Sequence, residues 1–502
     1  MTVQASGGAV ALLPEVKSFL GRKFGHYIDG KTVEGKGGTI PVFDPATGQV
    51  LAHVPDATAA EVDAAVAAAR RAFSEGPWPK MRPADREAIL MRLSQLIEKH
   101  GEELAQIETL NQGKSINISR MIEVGGGSEF VRYMAGWATK IEGSTIDLSI
   151  GFPPGTSYRA MTLREPVGVV GAIVPWNFPT IMFVWKVAPA LATGCTVVLK
   201  PAEETPLSAL RLVELCAEAG VPPGVVNVVT GVGEKAGAAL CSHPGIDKVA
   251  FTGSTEVGKK IGHAAIDNMT RFSLELGGKS PVIMLDDVGM EMAIGGAAGA
   301  IFFNQGQVCT AGSRLYVHKS KFDKVVDGLA DVASKMPIGS GLDPATAINP
   351  LVSEVQQKRV SRYVEGGLKA GAKALTGGGP VDSAGFFFKP TVLVGVKPDM
   401  EVVREEIFGP VVVAQPFDDL DEVIRQANDT VYGLGASVWS NDLGKVMKVT
   451  AKLRAGTVWV NTHNMIDPNM PFGGFKQSGY GREMGRAALD LYTETKSLCI
   501  AY

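Results

Sequence analysis

No stretch of this 502-residue chain reaches 18 uninterrupted apolar residues, so no membrane-crossing helix is expected. Cysteine is scarce and unpaired in pattern: Cys195, Cys216, Cys241, Cys309 and Cys499 are scattered and odd in number. That excludes a disulfide framework and a zinc ribbon, and predicts a reducing, cytoplasmic setting. The seven histidines form neither HxxxH nor HExxH, so no metal is expected. Excess positive charge is also missing. Lys and Arg total 49 against 52 Asp and Glu, a net charge of −3, and no basic stripe carries interleaved aromatics. Nucleic acid is therefore not expected as a partner. The N-terminus lacks a basic segment followed by an apolar core, so no secretory signal is expected. No repeat of 20–50 residues and no low-complexity tract is visible.

Glycine is plentiful, at 60 residues, which suggests many tight loops or close approaches to a ligand. The length suggests roughly three domains at ~150 residues each. Met1–Leu20 reads as a loose arm ending in a short helix. His26–Val54 reads as short strands and turns. Thr58-Ala59-Ala60-Glu61 is a capping box, with Val62, Val66, Ala69 and Phe73 on one face of the helix it opens. Helices are expected over 83–100, 101–110 and 117–140. Residues 143–165, rich in Ser, Thr and Tyr and broken by Pro153-Pro154, read as an extended ribbon.

Strand and helix then alternate. Strands are expected at 168–174, 196–199, 225–229, 248–251 and 272–276, with helices at 183–192, 207–219, 235–242 and 256–266. The strands are nearly continuous apolar runs, as in a parallel sheet covered on both faces. A second alternating region runs from about Pro281 to Lys476. A helix at 482–491 and a strand at 497–502 close the chain, the strand being a candidate to pair with the ribbon of a neighbouring subunit.

Six stretches carry candidate chemistry. Cys309, in Asn304-Gln305-Gly306-Gln307-Val308-Cys309, is either a buried structural thiol or a nucleophile that Gly306 and Gly312 leave open to approach. Glu275 ends an apolar strand, where burial raises a carboxyl's pKa and makes it a usable general base. Gly277 and Gly278 follow it and allow a flat ring close to the backbone. Asn177, in Pro175-Trp176-Asn177-Phe178-Pro179, offers an amide for an oxyanion hole, or is a plain turn residue. Lys200 and Glu203 end another strand, either as ribose ligands or as a surface ion pair. Gly253 and Ser254 precede a helix, a ready site for a pyrophosphate or an ordinary strand–turn–helix. Gly231-Val232-Gly233 is GxG without the rest of a dinucleotide fingerprint.

Taken in order, PWNFP (175–179), KPAE (200–203), FTGSTEVG (251–258), LELGGKSP (274–281), NQGQVC (304–309), EEIFGPV (405–411) and PFGGFKQSG (471–479) resemble the NAD(P)-dependent aldehyde dehydrogenase superfamily over nearly the whole chain. The resemblance implies an α/β fold with two doubly wound parallel-sheet domains and a small β oligomerisation ribbon. It implies a NAD-binding domain from 1–142 and 166–277, a catalytic domain from 278–477, and an oligomerisation domain from 143–165 and 478–502. Cys309 becomes the nucleophile, Glu275 the base and Asn177 the oxyanion donor. Trp176, Lys200, Glu203, Gly253, Ser254, Gly277, Glu406 and Phe408 become cofactor contacts. Glu203 would repel a 2′-phosphate, which favours NAD over NADP. The resemblance also implies a homo-oligomer, with a tetramer favoured over a dimer.

By the same resemblance Phe178, Met182, Trp185, Phe303, Val308, Met465, Ile466 and Phe472 line the aldehyde tunnel. Apart from Lys186, part of the superfamily's framework, that set offers no charge to hold a carboxylate or a quaternary ammonium. An uncharged aromatic or medium aliphatic aldehyde is therefore expected. The stretches 461–468 (NTHNMIDP) and 110–118 (LNQGKSINI) resemble bacterial phenylacetaldehyde dehydrogenases, which implies phenylacetaldehyde oxidised to phenylacetate. The competing readings are a general or medium-chain aliphatic aldehyde dehydrogenase, a thiol esterase using the same residues, and a silent binding protein of the same fold.

Overall fold

The computed structural model describes residues 1–3 and 8–502. Residues 4–7, part of the arm read at the N-terminus, lie outside the described residues. Two large sheets organise the rest. The eight-stranded sheet has five parallel strands at its centre, in spatial order Arg271–Glu275, Lys248–Thr252, Val169–Ile173, Thr196–Lys200 and Val226–Val228. His26–Ile28 and Lys31–Val33 extend one edge antiparallel, and Gly479–Tyr480 pairs antiparallel with Arg271–Glu275 at the other. Val169–Ile173 and Thr196–Lys200 are buried along their whole length, the reason they read as unbroken apolar runs.

In chain order the first and fourth of these parallel strands, Val169–Ile173 and Lys248–Thr252, are spatial neighbours. The winding direction reverses between them, so the loops at their carboxyl ends diverge and leave a crevice. The seven-stranded sheet is ordered Lys373–Thr376, Thr391–Val394, Val411–Phe417, Arg314–His318, Pro281–Met284, Gly435–Trp439 and Thr457–Val460. It is parallel except at the Lys373–Thr376 edge.

Local chemistry sets the helix ends that matter to the site. The Thr58 N–H donates to Glu61 Oε2 at 2.8 Å, closing the capping box. The helix expected from residue 183 begins four residues earlier, at Pro179–Thr193, because proline at the first helical position needs no N–H partner. It stops at Gly194, whose φ of +93° is left-handed. Every residue of that helix is buried.

One expectation for the C-terminus fails. The helix read at 482–491 shrinks to Ala487–Asp490, because Met484 and Gly485 are left-handed (φ +62° and +56°) and Glu483 bridges to Phe472. The terminal strand, Thr493–Ala501, begins four residues earlier than read and pairs along one side with Tyr158–Pro166 of its own chain. With Thr145–Asp147 these form a three-stranded sheet. Among the described residues no helix is long and apolar enough to cross a membrane, and no cluster of His, Cys, Asp and Glu has the arrangement of a metal site.

Candidate active site

An open cleft of about 950 Å³ lies at the switch point of the eight-stranded sheet and reaches across to Cys309. Its wall holds Trp176, Asn177, Phe178, Met182, Trp185, Gly253, Ser254, Glu275, Gly277, Cys309, Glu406, Phe408 and Phe472. Segments more than 290 residues apart in the chain thus meet in one cavity, as expected of a ligand site.

The nucleophile candidate is presented by an unusual turn. Asn304, Gln305 and Gly306 are all left-handed, with φ of +45°, +54° and +68°. Non-glycine residues held there carry local strain, which concentrates at functional sites. Glycine at 306 is required for a second reason: a methyl group on it would meet the Gly409 carbonyl oxygen at 2.0 Å. Gly312 likewise packs against Val282 and Ala300. The two glycines flanking Cys309 serve the packing of the chain, contrary to the expectation that they open it to ligands. The Cys309 residue itself is half-buried and faces the cleft. Burial, with the Glu406 and Glu275 carboxylates adding to it, pushes its thiol up to about 12.

Asn177 is buried, and its Nδ2 donates to the Gln307 carbonyl at 3.0 Å. Its amide has a second N–H. Glu275 is buried and neither carboxylate oxygen has a protein partner. Burial, then repulsion from Glu483, lifts its carboxyl well above the usual range, against the pull of Lys186 and Arg482. Glu483 is itself paired with the buried Lys186.

The other arm of the cleft has the features of a dinucleotide cradle. Ser254 caps the helix Thr255–Asp267, accepting the Val257 N–H at 3.3 Å. The buried Thr252 hydroxyl in the wall has no protein partner. Glu406 Oε1 accepts the Gly278 N–H at 2.8 Å, and a methyl on Gly277 would stand 2.3 Å from Glu406 Oε2. Trp176 and Phe408 meet edge to face at 5.1 Å. Phe408 is left-handed at φ +59°. Lys200 and Glu203 lie outside the cleft wall, joined to each other at 3.2 Å. The weak GxG read at 231–233 belongs with them: Lys200 Nζ donates to the Gly231 carbonyl at 2.8 Å, and the Gly233 N–H to Glu203 Oε1 at 3.4 Å.

Gln356 and Arg359 also line the cleft and were not legible in the sequence. Gln356 Nε2 donates to the Phe408 carbonyl at 2.7 Å and Arg359 to the Glu406 carbonyl at 3.0 Å. Their i, i+3 spacing on the helix Glu354–Lys369 was the one available signal.

Of the residues read as an aldehyde tunnel, Phe178, Met182, Trp185 and Phe472 are in the wall. Phe303 stacks on Phe178 at 6.2 Å from outside it, and Val308 is buried beside Cys309. Met465 and Ile466 are 61% and 43% exposed and lie outside the wall. Their loop is tied to the neighbour of Cys309: His463 Nε2 donates to the Thr310 carbonyl at 2.8 Å, and Thr310 Oγ1 to Asn464 Oδ1 at 2.7 Å. Burial lowers His463 to about 4, so the ring is neutral.

The sequence profile of the aldehyde dehydrogenase family matches residues 32–498. Phenylacetaldehyde dehydrogenase of Pseudomonas fluorescens is 56% identical over 466 residues, covering 92% of this chain and 93% of that one. Mitochondrial benzaldehyde dehydrogenase of Antirrhinum majus is 45% identical over 476 residues, 94% of this chain and 88% of its own. A NAD+ complex of an aldehyde dehydrogenase from Bacillus cereus superposes with a TM-score of 0.95 at 49% identity, covering 98% of this chain and 99% of that one. The glycine cradle, the unpartnered Thr252 hydroxyl and the Glu406 carboxylate fit such a cofactor. The chain belongs to the aldehyde dehydrogenase family and is a NAD-dependent aldehyde dehydrogenase.

Proposed function

We propose that this enzyme oxidises phenylacetaldehyde to phenylacetate, with Cys309 as nucleophile, Glu275 as general base and Asn177 as oxyanion donor. The observation that carries the substrate is the wall formed by Phe178, Met182, Trp185 and Phe472, which is apolar and aromatic next to Cys309. Trp185 and Phe472 meet edge to face at 5.5 Å, a geometry a third aryl ring can join. Arg359, the cation in the wall, donates to the Glu406 carbonyl on the cofactor side, so the aldehyde end holds no partner for a substrate carboxylate. The identity to the Pseudomonas fluorescens enzyme supports the same substrate.

In this reading the Cys309 thiol passes its proton to water in the open cleft and its sulfur attacks the aldehyde carbon. The free N–H of Asn177 and the Cys309 backbone N–H hold the oxyanion, a device worth about 100–1000-fold per donor. Bound NAD supplies the hydride acceptor. Cys309 then carries the acyl group as a thioester. Glu275, whose carboxyl burial raises, takes the proton of the water that releases the acid. Glu406, Phe408, Trp176, Gly253, Ser254 and Gly277 hold the cofactor, with Lys200 and Glu203 at its adenosine ribose. The sheet formed by Thr145–Asp147, Tyr158–Pro166 and Thr493–Ala501 leaves Ile146, Leu163, Leu498 and Ile500 exposed, and is assigned as the oligomerisation surface of a tetramer.

The test is steady-state NADH formation with phenylacetaldehyde, propanal and a betaine-type aldehyde on wild type, Cys309→Ala and Glu275→Gln. Phenylacetaldehyde is expected to lead propanal at least about tenfold in kcat/KM, the worth of burying part of an aryl ring. Cys309→Ala is expected to be inactive. Glu275→Gln is expected to give a burst of NADH and then stall as the thioester. A tenfold lead for propanal would instead mark a general aliphatic enzyme.

A further inference from the structure

The stretch Leu110–Ile118 places no residue in the cleft wall, yet its lysine reaches the site from behind. Lys114, Glu108 and Glu123 are fully buried. Lys114 Nζ donates to the backbone carbonyl of Asn177 at 2.8 Å, to Glu108 Oε1 at 3.4 Å and to Glu123 Oε1. The same ammonium stands 4.4 Å from the centre of the Phe178 ring. The two carboxylates continue along the chain. Glu123 Oε2 accepts the Ile181 N–H at 2.8 Å, and Glu108 Oε2 accepts the Thr180 hydroxyl at 2.9 Å and the Ser208 hydroxyl at 2.5 Å. Between Asn177 and Ile181, every residue except Pro179 therefore touches this triad. A buried ion cluster is no more stabilising than a well-packed apolar one, so stability alone does not account for it. What it supplies here is direction: a carbonyl pinned on one side turns the Asn177 side chain to the other.

We propose that Lys114 is a positioning residue for catalysis: its ammonium fixes the Asn177–Phe178 peptide, so that the Asn177 amide meets the oxyanion and the Phe178 ring stays in the aldehyde wall. The inference rests on the reading of Asn177 as oxyanion donor. A misplacement of about 1 Å at such a group costs on the order of 100-fold in rate.

A double-mutant cycle between Lys114→Met and Asn177→Ala tests it, read by kcat for phenylacetaldehyde oxidation and by NAD-free hydrolysis of an activated aryl ester at Cys309. Because Lys114→Met leaves the buried Glu108 and Glu123 side chains without their cation, a second cycle uses Lys114→Met with Glu123→Gln. Lys114→Met is expected to lower kcat about 100-fold alone but less than about 3-fold in the Asn177→Ala background, since residues acting as one unit are not additive. Ester hydrolysis is expected to fall in parallel, and the Kd for NAD to stay within about 3-fold of wild type, because the cluster lies behind the oxyanion hole. The same factor lost in both backgrounds would overturn the inference and leave the oxyanion reading standing. An Asn177→Ala variant at the wild-type rate would remove the oxyanion reading, and the inference with it.

Discussion

Gly278 lies against Cys309: a methyl group on its Cα would stand 2.3 Å from the Cys309 carbonyl oxygen. The loop that follows the Glu275 strand and the turn that presents the thiol therefore approach backbone to backbone at Gly278. Gly278→Ala is expected to displace the Cys309 turn and lower kcat on the order of 100-fold, the cost of misplacing a reacting group by about 1 Å. Steady-state kinetics with a thermal melt as control checks this. A variant with wild-type kcat would show that the turn yields freely.

The Cys309 thiol is raised to about 12, by burial first and then by the Glu406 and Glu275 carboxylates. In the cofactor-free enzyme it is a thiol at neutral pH. Its alkylation by iodoacetamide is expected to quicken about tenfold per pH unit between roughly pH 7 and 9, tracking the thiolate fraction. Mass spectrometry of the Cys309 peptide gives the rate. A flat profile would mean that the resting cysteine is already ionised.

Glu203 accepts from both Lys200 Nζ and the Gly233 N–H, so its carboxylate is held in place. In the proposed placement at the adenosine ribose, a fixed negative charge there opposes a 2′-phosphate. Glu203→Gln is expected to raise kcat/KM for NADP by about tenfold or more, the scale of one removed repulsion of about 1–2 kcal/mol in a partly screened site. Equal ratios of NAD to NADP use in both proteins would exclude Glu203 from cofactor choice.

Burial, then repulsion from Glu108, pushes the Glu123 carboxyl up to about 8 against the pull of Lys114. The folded state thus holds a proton that the unfolded chain releases near 4.5. The contribution of this group to stability is complete below about pH 4.5 and is lost as pH rises through about 8. Wild type is expected to lose Tm between about pH 6 and 9 more steeply than Glu123→Gln, which has no proton to lose there. Thermal melts across that range give both slopes, and parallel curves would contradict the assignment.

Phe472 is buried and meets Trp185 edge to face at 5.5 Å. Phe472→Ala is expected to cost phenylacetaldehyde about 10–100-fold in kcat/KM, matching roughly 1.5–3 kcal/mol of lost aromatic burial. Propanal, too small to reach it, is expected to lose less than about 3-fold by the same argument. Equal losses for both aldehydes would place Phe472 in the scaffold and outside the pocket.

The sequence alone determined the family and most of the parallel core. Unbroken apolar strands such as Val169–Ile173 must be buried on both faces, and that demand is written in composition. Cys309, Glu275 and Asn177 stood out because each is a reactive or polar group at the end of an apolar run. The capping box at Thr58 was equally plain, since both its bonds form within four residues.

What the tertiary structure decided depends on contacts between distant segments. The 482–491 helix gives way because Glu483 is drawn to Phe472 and Lys186, contacts outside local propensity. The terminal strand pairs with Tyr158–Pro166 of its own chain, a register that only the folded topology sets. Gln356 and Arg359 enter the cleft from an ordinary polar helix, and the Lys114 cluster reaches Asn177 across 63 residues. Glycine at 306 and 312 illustrates the same division. Its presence is visible in the chain, but whether it admits a ligand or another strand of backbone is settled by what lies 2–3 Å away, and that is the Gly409 carbonyl and the Val282 side chain.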